Sequence, residues 1–442
     1  MISASLVCLL LDVCLLVEAA GCSSDPGPPL EPCPTESGTG CAPLSDRVDL
    51  YQPTFSNPTR VTNRLYPVSD LRSVVFTGHV DGAPFRTETT LLPETKTIAW
   101  NGQQIETVVQ QYMAFSDGRI QEIAIDWFAQ DDSGAVWYFG EDVSDFDETG
   151  TIYTHEGTWL VDVDGALAMN MPRTPEVGKA WLAENAAPAA WEQIIVKSVG
   201  EVRDGPAGKV SGVVVTEELK LDGGTEEKVF APGYGEFSTG NAAKGSLEAL
   251  ALAVPTDALS RATPEELPAM AANLLAVFNA AETGDWSAVA TALSTVGSKW
   301  TAFRASTPPP RLEEEMIRLL GQLEAAVGAR DADETRQQAI AAARVASDFR
   351  LRYEPVPAID TVRLDLWFAQ ILADADAPDI KGDAATAALV WDRIAKTFDP
   401  ALRATVEGHL ESLRSASEAA DVARAKMIAR QLRDNLGGQG WQ

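Results

Sequence analysis

A change of hydrophobic period at Pro255 constrains this chain more than any other feature. Before it, apolar and polar residues alternate; after it, apolar residues recur every three to four positions. Ile123, Ile125 and Trp127 share one side of a strand-like run, with Glu122, Ala124 and Asp126 on the other. Val136-Trp137-Tyr138-Phe139 reads as a short strand after the turn Asp132-Ser133-Gly134. Val213-Val214-Val215-Thr216 and Lys228-Val229-Phe230 read as strands joined across Asp222-Gly223-Gly224. Ala231-Pro232-Gly233-Tyr234-Gly235 then turns the chain before Glu236-Phe237. No helical period competes between Leu50 and Ala253, which predicts an antiparallel β sandwich, half-barrel or closed barrel.

Beyond Pro255 the grammar is helical. Thr263-Pro264-Glu265-Glu266 reads as a capping box with proline at the first helical position. Leu267, Met270, Leu274, Leu275 and Phe278 form one apolar stripe, and Met316, Leu319, Leu320, Leu323 and Val327 another. Pro308-Pro309-Pro310 and Pro355-Val356-Pro357 break the run. Asp285, Asp331 and Asp421 sit between helical runs as acidic N-caps, and Asp383 is read the same way. The predicted class is α+β and multidomain. An antiparallel β domain (47–254) precedes an all-α bundle of six to eight helices (255–442), and the two are expected to fold as separate units.

The N-terminus gives an address. An apolar run from Leu6 closes on Ala19-Ala20-Gly21-Cys22, which resembles the lipobox of bacterial lipoproteins. That resemblance implies a signal peptide over 1–21 and Cys22 as the lipidated mature N-terminus, although no Lys or Arg precedes Arg47. The run is too short and too polar to span a bilayer. Residues 22–46, rich in proline, read as a disordered tether. The expected location is the bacterial cell envelope, lipid-anchored and facing the periplasm or exterior. Cys33 and Cys41 are a disulfide candidate in such an oxidising compartment, with two free thiols as the alternative.

Charge narrows the partners. The net charge is −29; residues 1–254 hold 15 Lys+Arg against 37 Asp+Glu, and residues 255–442 hold 20 against 27. Such a chain repels phosphate backbones, so nucleic acid is excluded as a partner. Residues 120–172 hold 12 acidic residues and no Lys or Arg. Within them Asp142, Asp145, Asp147 and Glu148 crowd one loop, and hard cations want several oxygens at one point. These four are the candidate metal ligands, with calcium the suited ion. The alternative is a solvated, edge-protecting loop.

Little else carries chemistry. His79, His155 and His409 are far apart, and metal-binding, nucleophile-elbow and phosphate-loop motifs are missing from the sequence. Two of Asp126, Asp131 and Glu141 could serve as acid and base for hydrolysis, with Trp127, Trp137, Tyr138 and Trp159 stacking on sugar rings. The competing reading makes those aromatics core. Asp360, Arg363 and Asp365 read as a surface ion-pair set.

One further resemblance is local. Asp126-Trp127-Phe128-Ala129-Gln130-Asp131, Gly134 and Val136-Trp137-Tyr138-Phe139-Gly140-Glu141 resemble a motif of an uncharacterised exported bacterial (lipo)protein family. Gly157-Thr158-Trp159, Val163-Asp164-Gly165-Ala166 and the 231–235 turn fit the same group, over roughly residues 50–250. The resemblance implies envelope location and a β-rich domain, and no particular reaction. The chain is thus expected to be a membrane-anchored, non-enzymatic envelope lipoprotein. Its β domain would bind a ligand or an envelope protein, with the bundle as spacer or docking module. The alternative is an envelope hydrolase acting on polysaccharide or peptide through carboxylates of the 126–141 segment.

Overall fold

The computed structural model describes residues 33–241 and 245–437, so the expected signal segment, Cys22 and residues 23–32 lie outside the described residues. The chain is α+β, with strands before Pro255 and helices after it. Four long strands come first: β1 (Ser73–Val80), β2 (Ala83–Trp100), β3 (Gln103–Ser116) and β4 (Arg119–Gln130). Three two-residue loops join them: Asp81-Gly82, Asn101-Gly102 and Asp117-Gly118. Every residue of these loops has positive φ. That is the type I′ geometry whose twist matches the flanking strands, and Asp-Gly and Asn-Gly are the pairs that adopt it most readily.

Next come β5 (Val136–Phe146), β6 (Ile152–Thr154), β7 (Trp159–Leu160) and β8 (Ala168–Met171). A second meander follows: β9 (Ala180–Ala186), β10 (Ala190–Gly205), β11 (Gly208–Lys220), β12 (Thr225–Ala231), β13 (Gly235–Asn241) and β14 (Ser246–Val254). The antiparallel order is β6-β5-β4-β3-β2-β1-β14-β13-β12-β11-β10-β9, with β7 and β8 both on β5. The far ends approach each other through β8, where Trp181 of β9 donates its Nε1–H to the Asn170 carbonyl at 3.2 Å. The sheet therefore curls on itself.

Eight helices follow among the described residues: α1 (Glu266–Thr283), α2 (Trp286–Arg304), α3 (Pro310–Ala329), α4 (Ala332–Arg350), α5 (Val356–Ala373), α6 (Ala377–Ile394), α7 (Pro400–Glu418) and α8 (Val422–Asn435). Asp285, Asp331 and Asp421 cap α2, α4 and α8 by accepting from backbone N–H groups. The other two expected caps differ. The Thr263 hydroxyl donates to Glu354 instead of closing a capping box. Asp383 is buried inside α6, whose N-cap is Asp376.

Residues from Cys33 onward form one compact unit. Val75, Met113, Ile123 and Leu252 leave one face of the sheet to join the helical core, which continues through Leu274, Phe349 and Phe368. Phe115 stacks on Trp367 of α5 at 5.5 Å. The sequence places a domain boundary at 254; there the element type changes, but one apolar core runs across it. The joint itself is pinned. Asp257 accepts from the Tyr234 hydroxyl and the Ala253 N–H, and its own carbonyl accepts from Arg352 of the α4–α5 turn.

Charged groups tie the same interface. Arg86 of β2 donates to both oxygens of Asp348 of α4, at 2.7 and 3.0 Å. Arg363 of α5 reaches Asp348 at 3.0 Å and Asp360 at 3.1 Å. Arg393 of α6 bonds Gln111 at 2.6 Å and Glu88 at 3.2 Å. Asp360, Arg363 and Asp365 are 1, 3 and 0 % exposed, so they are not the surface set expected from sequence. Asp365 is held instead by Arg433 of α8 at 2.9 Å. Spacing along a helix identifies shared faces but does not say which face is covered.

Residues 33–46, read from composition as part of a disordered tether, lie against the sheet. Cys33 and Cys41 are joined by a disulfide, with Cα atoms 5.6 Å apart. The loop they close lies on the sheet: the Glu36 N–H donates to the Leu221 carbonyl, and the Ala42 N–H to Gln193. Cys41 packs against Leu182, Trp191 and Leu219. Residues 33–46 are thus ordered by a small apolar satellite cluster, a contact that proline content does not reveal.

Candidate functional site: an acidic cavity inside the curled sheet

Strand alternation builds the site. In β4, Ile123 points to the helices, so Glu122, Ala124 and Asp126 point into the curl. The same rule places Tyr112 of β3, Glu184 of β9, Glu192 of β10 and Glu218 of β11 inside. From β12 come Glu226, Lys228 and Phe230, from β13 Glu236 and from β14 Glu248. Together they line two lobes of 210 and 420 Å³ that share Tyr66, Tyr112, Asp126, Glu184, Lys228 and Glu236 among their walls. The larger lobe falls within the roughly 300–1,000 Å³ of small-molecule sites.

The charge balance inside is lopsided. Nine carboxyl groups line the two lobes (those named above and Glu141), against Lys220 and Lys228. Lys228 lies 3.0 Å from Glu218 and 4.0 Å from Glu192, and Lys220 lies 2.8 Å from Glu226. Among the described residues, Glu122, Asp126, Glu141, Glu184, Glu236 and Glu248 form no ion pair. Burial alone would lower the Lys228 ammonium, but Glu218, Glu192 and Glu236 outweigh it and hold it well above the usual lysine range.

Asp126 and Glu141 face each other across the β4–β5 ladder, and each is only 9 % exposed. The Tyr138 hydroxyl donates to Asp126 at 2.6 Å, and the Tyr138 ring stacks on Phe128 at 4.6 Å between centroids. Burial pushes Asp126 up to about 6, against the pull of that hydroxyl. Burial, then the Asp126 charge, pushes Glu141 up to about 8. Glu184 hydrogen-bonds Glu141 carboxyl to carboxyl, and burial followed by Glu141 raises it well above the usual range. Glu122, Glu218 and Glu248 are each raised to about 7, first by burial. Glu122, Glu141, Glu184 and Glu248, with no ion-pair partner among the described residues, are thereby biased toward their protonated forms.

Other sequence candidates go elsewhere. Asp131 is consumed by its turn, accepting from Tyr51, Ser133, the Gly134 and Ala135 N–H groups and the Trp137 indole. Trp127, Trp137 and Trp159 are buried core, as the structural alternative expected. His155 is exposed. Asp142, Asp145, Asp147 and Glu148 do not converge. Asp142 and Asp145 lie on opposite faces of β5, and Asp147 spends Oδ1 on Thr149 and the Thr151 N–H. Their loop abuts α6, where a Cβ on Gly150 would sit 2.4 Å from the Gly382 nitrogen. Among the described residues, no three His, Cys, Asp or Glu are grouped to hold a metal ion.

Six cavity acids escaped sequence reading: Glu184, Glu192, Glu218, Glu226, Glu236 and Glu248. Their signal is the polar partner of each apolar face, as in Glu226-x-Lys228-x-Phe230. A scan against protein-family models and a search of curated proteins return no match to this chain.

Proposed function

We propose that the chain is a lipid-anchored protein of the bacterial cell envelope whose curled sheet binds a small ligand without transforming it. The bundle braces one face of the sheet and serves as spacer or docking module. The observation that carries this reading is the cavity, to which both meanders contribute inward-facing polar groups. Convergent polar side chains on a mostly preformed concavity are what small-molecule sites share. Ala124, 3 % exposed in the smaller lobe, gives the test. Ala124→Trp should fill that lobe and abolish binding of ligands found by NMR screening, with the circular dichroism unchanged. Equal binding by wild type and variant would sink the cavity as the site. The anchor is tested separately: Cys22→Ala should move the protein from the membrane to the soluble fraction, and unchanged retention would remove it.

One observation favours hydrolysis as a second reading. Asp126 and Glu141 are opposed, and burial raises both while the Asp126 charge raises Glu141 further, the direction of separation an acid–base pair needs. Turnover of envelope polysaccharide or peptide that disappears in both Asp126→Asn and Glu141→Gln would establish it. No turnover by wild type would dismiss it.

A further inference from the structure

We propose that the ligand of this cavity is an organic polycation, a flexible chain bearing two or more protonated amines. This assignment rests on the ligand-binding reading above and specifies what the site takes. Among the described residues, six of the nine carboxyl groups make no ion-pair contact, and the two lysines are already engaged by Glu192, Glu218 and Glu226. Neither lysine is therefore free to hold an anionic ligand. Glu141 is nine-tenths buried, forms no ion pair and lines the smaller lobe. Asn170, whose side chain also meets Tyr66, lines the same lobe, and among the described residues its Oδ1 is buried with no hydrogen-bond partner.

The distribution of charge separates a polyamine from a metal ion. The carboxyl groups are spread around two lobes, and among the described residues no three group tightly enough for one ion. A metal needs its oxygens at one point; a chain of ammonium groups needs them at intervals. The aromatic rings of Tyr66, Tyr112, Phe128 and Phe230 supply faces that attract ammonium and methylene groups alike. Binding must also release protons, because an ammonium favours ionised carboxylates that burial otherwise keeps protonated.

The experiment is calorimetry of spermidine binding to the full chain at about physiological salt, where loose surface association is screened. We expect one saturable site that releases protons and binds about tenfold tighter near pH 8 than near pH 6. Glu184→Gln and Glu141→Gln should each weaken it about tenfold, and Ala124→Trp should abolish it. Glutamine removes like-charge repulsion, so both variants stay folded. Spermidine binding untouched by all three substitutions would mark the acidic exterior as its site and overturn the proposal. Glucose or succinate binding that Ala124→Trp abolishes, without spermidine binding, would overturn the polycation and leave the cavity a binding site. Calcium binding that depends on Glu184, without spermidine binding, would likewise overturn it. Failure of spermidine, glucose, succinate and calcium alike would overturn both readings.

Discussion

Two regions of this protein bury charge, and they do it in opposite ways. Between sheet and bundle, Arg86, Arg363 and Arg393 meet Glu88, Asp348 and Asp360 three against three. In the cavity, nine carboxyl groups meet two lysines. Burial would raise Glu88, but Arg363, Arg86 and Arg393 overrule it and hold it well below the usual range. At Glu122 the same burial meets no opposing cause, and at Glu141 and Glu184 it outweighs the hydrogen bonds and the distant Lys228 charge, so all three rise. A fold that neutralises buried carboxylates at its interface leaves others bare around a void. Compensated charge of the first kind serves structure; uncompensated charge of the second kind marks a site.

The largest effect should come from breaking the balanced side. Arg363→Met leaves Glu88, Asp348 and Asp360 to share Arg86 and Arg393, three buried carboxylates against two cations, and removing one partner of a buried network costs about 3–5 kcal/mol. Equilibrium denaturation checks it; a loss under about 1 kcal/mol would put the network outside the structural role assigned to it.

Substitutions on the unbalanced side should act in reverse. Glu141 has a folded pKa raised above its unfolded value, so the stability it contributes is full below about pH 4.5 and is lost as pH rises to about 8. Glu88 has a depressed pKa, so its contribution holds above the unfolded value and is lost on acidification. Glu141→Gln should therefore raise stability near pH 8 by at least about 1.4 kcal/mol, the worth of one pKa unit. It should also flatten the decline between about pH 5 and pH 8 seen in wild type. Melting temperatures across that range provide the check, and a variant as steep as wild type would contradict the shift.

A third charge pair calibrates the other two. Lys396 bonds Glu94 at 2.9 Å across the same sheet–bundle interface, but on its solvent rim, 64 and 41 % exposed. Lys396→Ala should cost under about 1 kcal/mol at any pH near neutrality. A cost matching that of Arg363→Met would mean that burial is not what separates the clusters.

Much of the fold was legible because period is a local property. The change at Pro255, the strand pairs around Asp222-Gly223-Gly224 and the aspartate caps all depend on residues close in sequence. The hairpin glycines at 82, 102 and 118 were equally readable and mark the first meander more sharply than hydrophobicity does. The cavity was legible only in part. Asp126 and Glu141 stood out together because they share one segment, but Glu184, Glu218, Glu236 and Glu248 arrive through long-range pairing. The alternation of β4 was legible, but not the side that solvent takes. Here the apolar face turns outward to the helices, and the polar face turns inward. The ordering of residues 33–46 was invisible for a related reason: its cause is the patch around Leu182, Trp191 and Leu219, far along the chain.

The central claim is that most of the carboxyl groups inside the sheet have no ion-pair partner among the described residues, and one measurement reaches it directly. A ¹³C NMR titration of labelled glutamate carboxyls would read each group through its own protonation. Glu122 and Glu248 should titrate near pH 7 and Glu141 near pH 8, and all three should fall toward ordinary values when spermidine is added. A spectrum in which every glutamate completes its titration below about pH 5.5, within the spread of ordinary glutamates, would contradict the account.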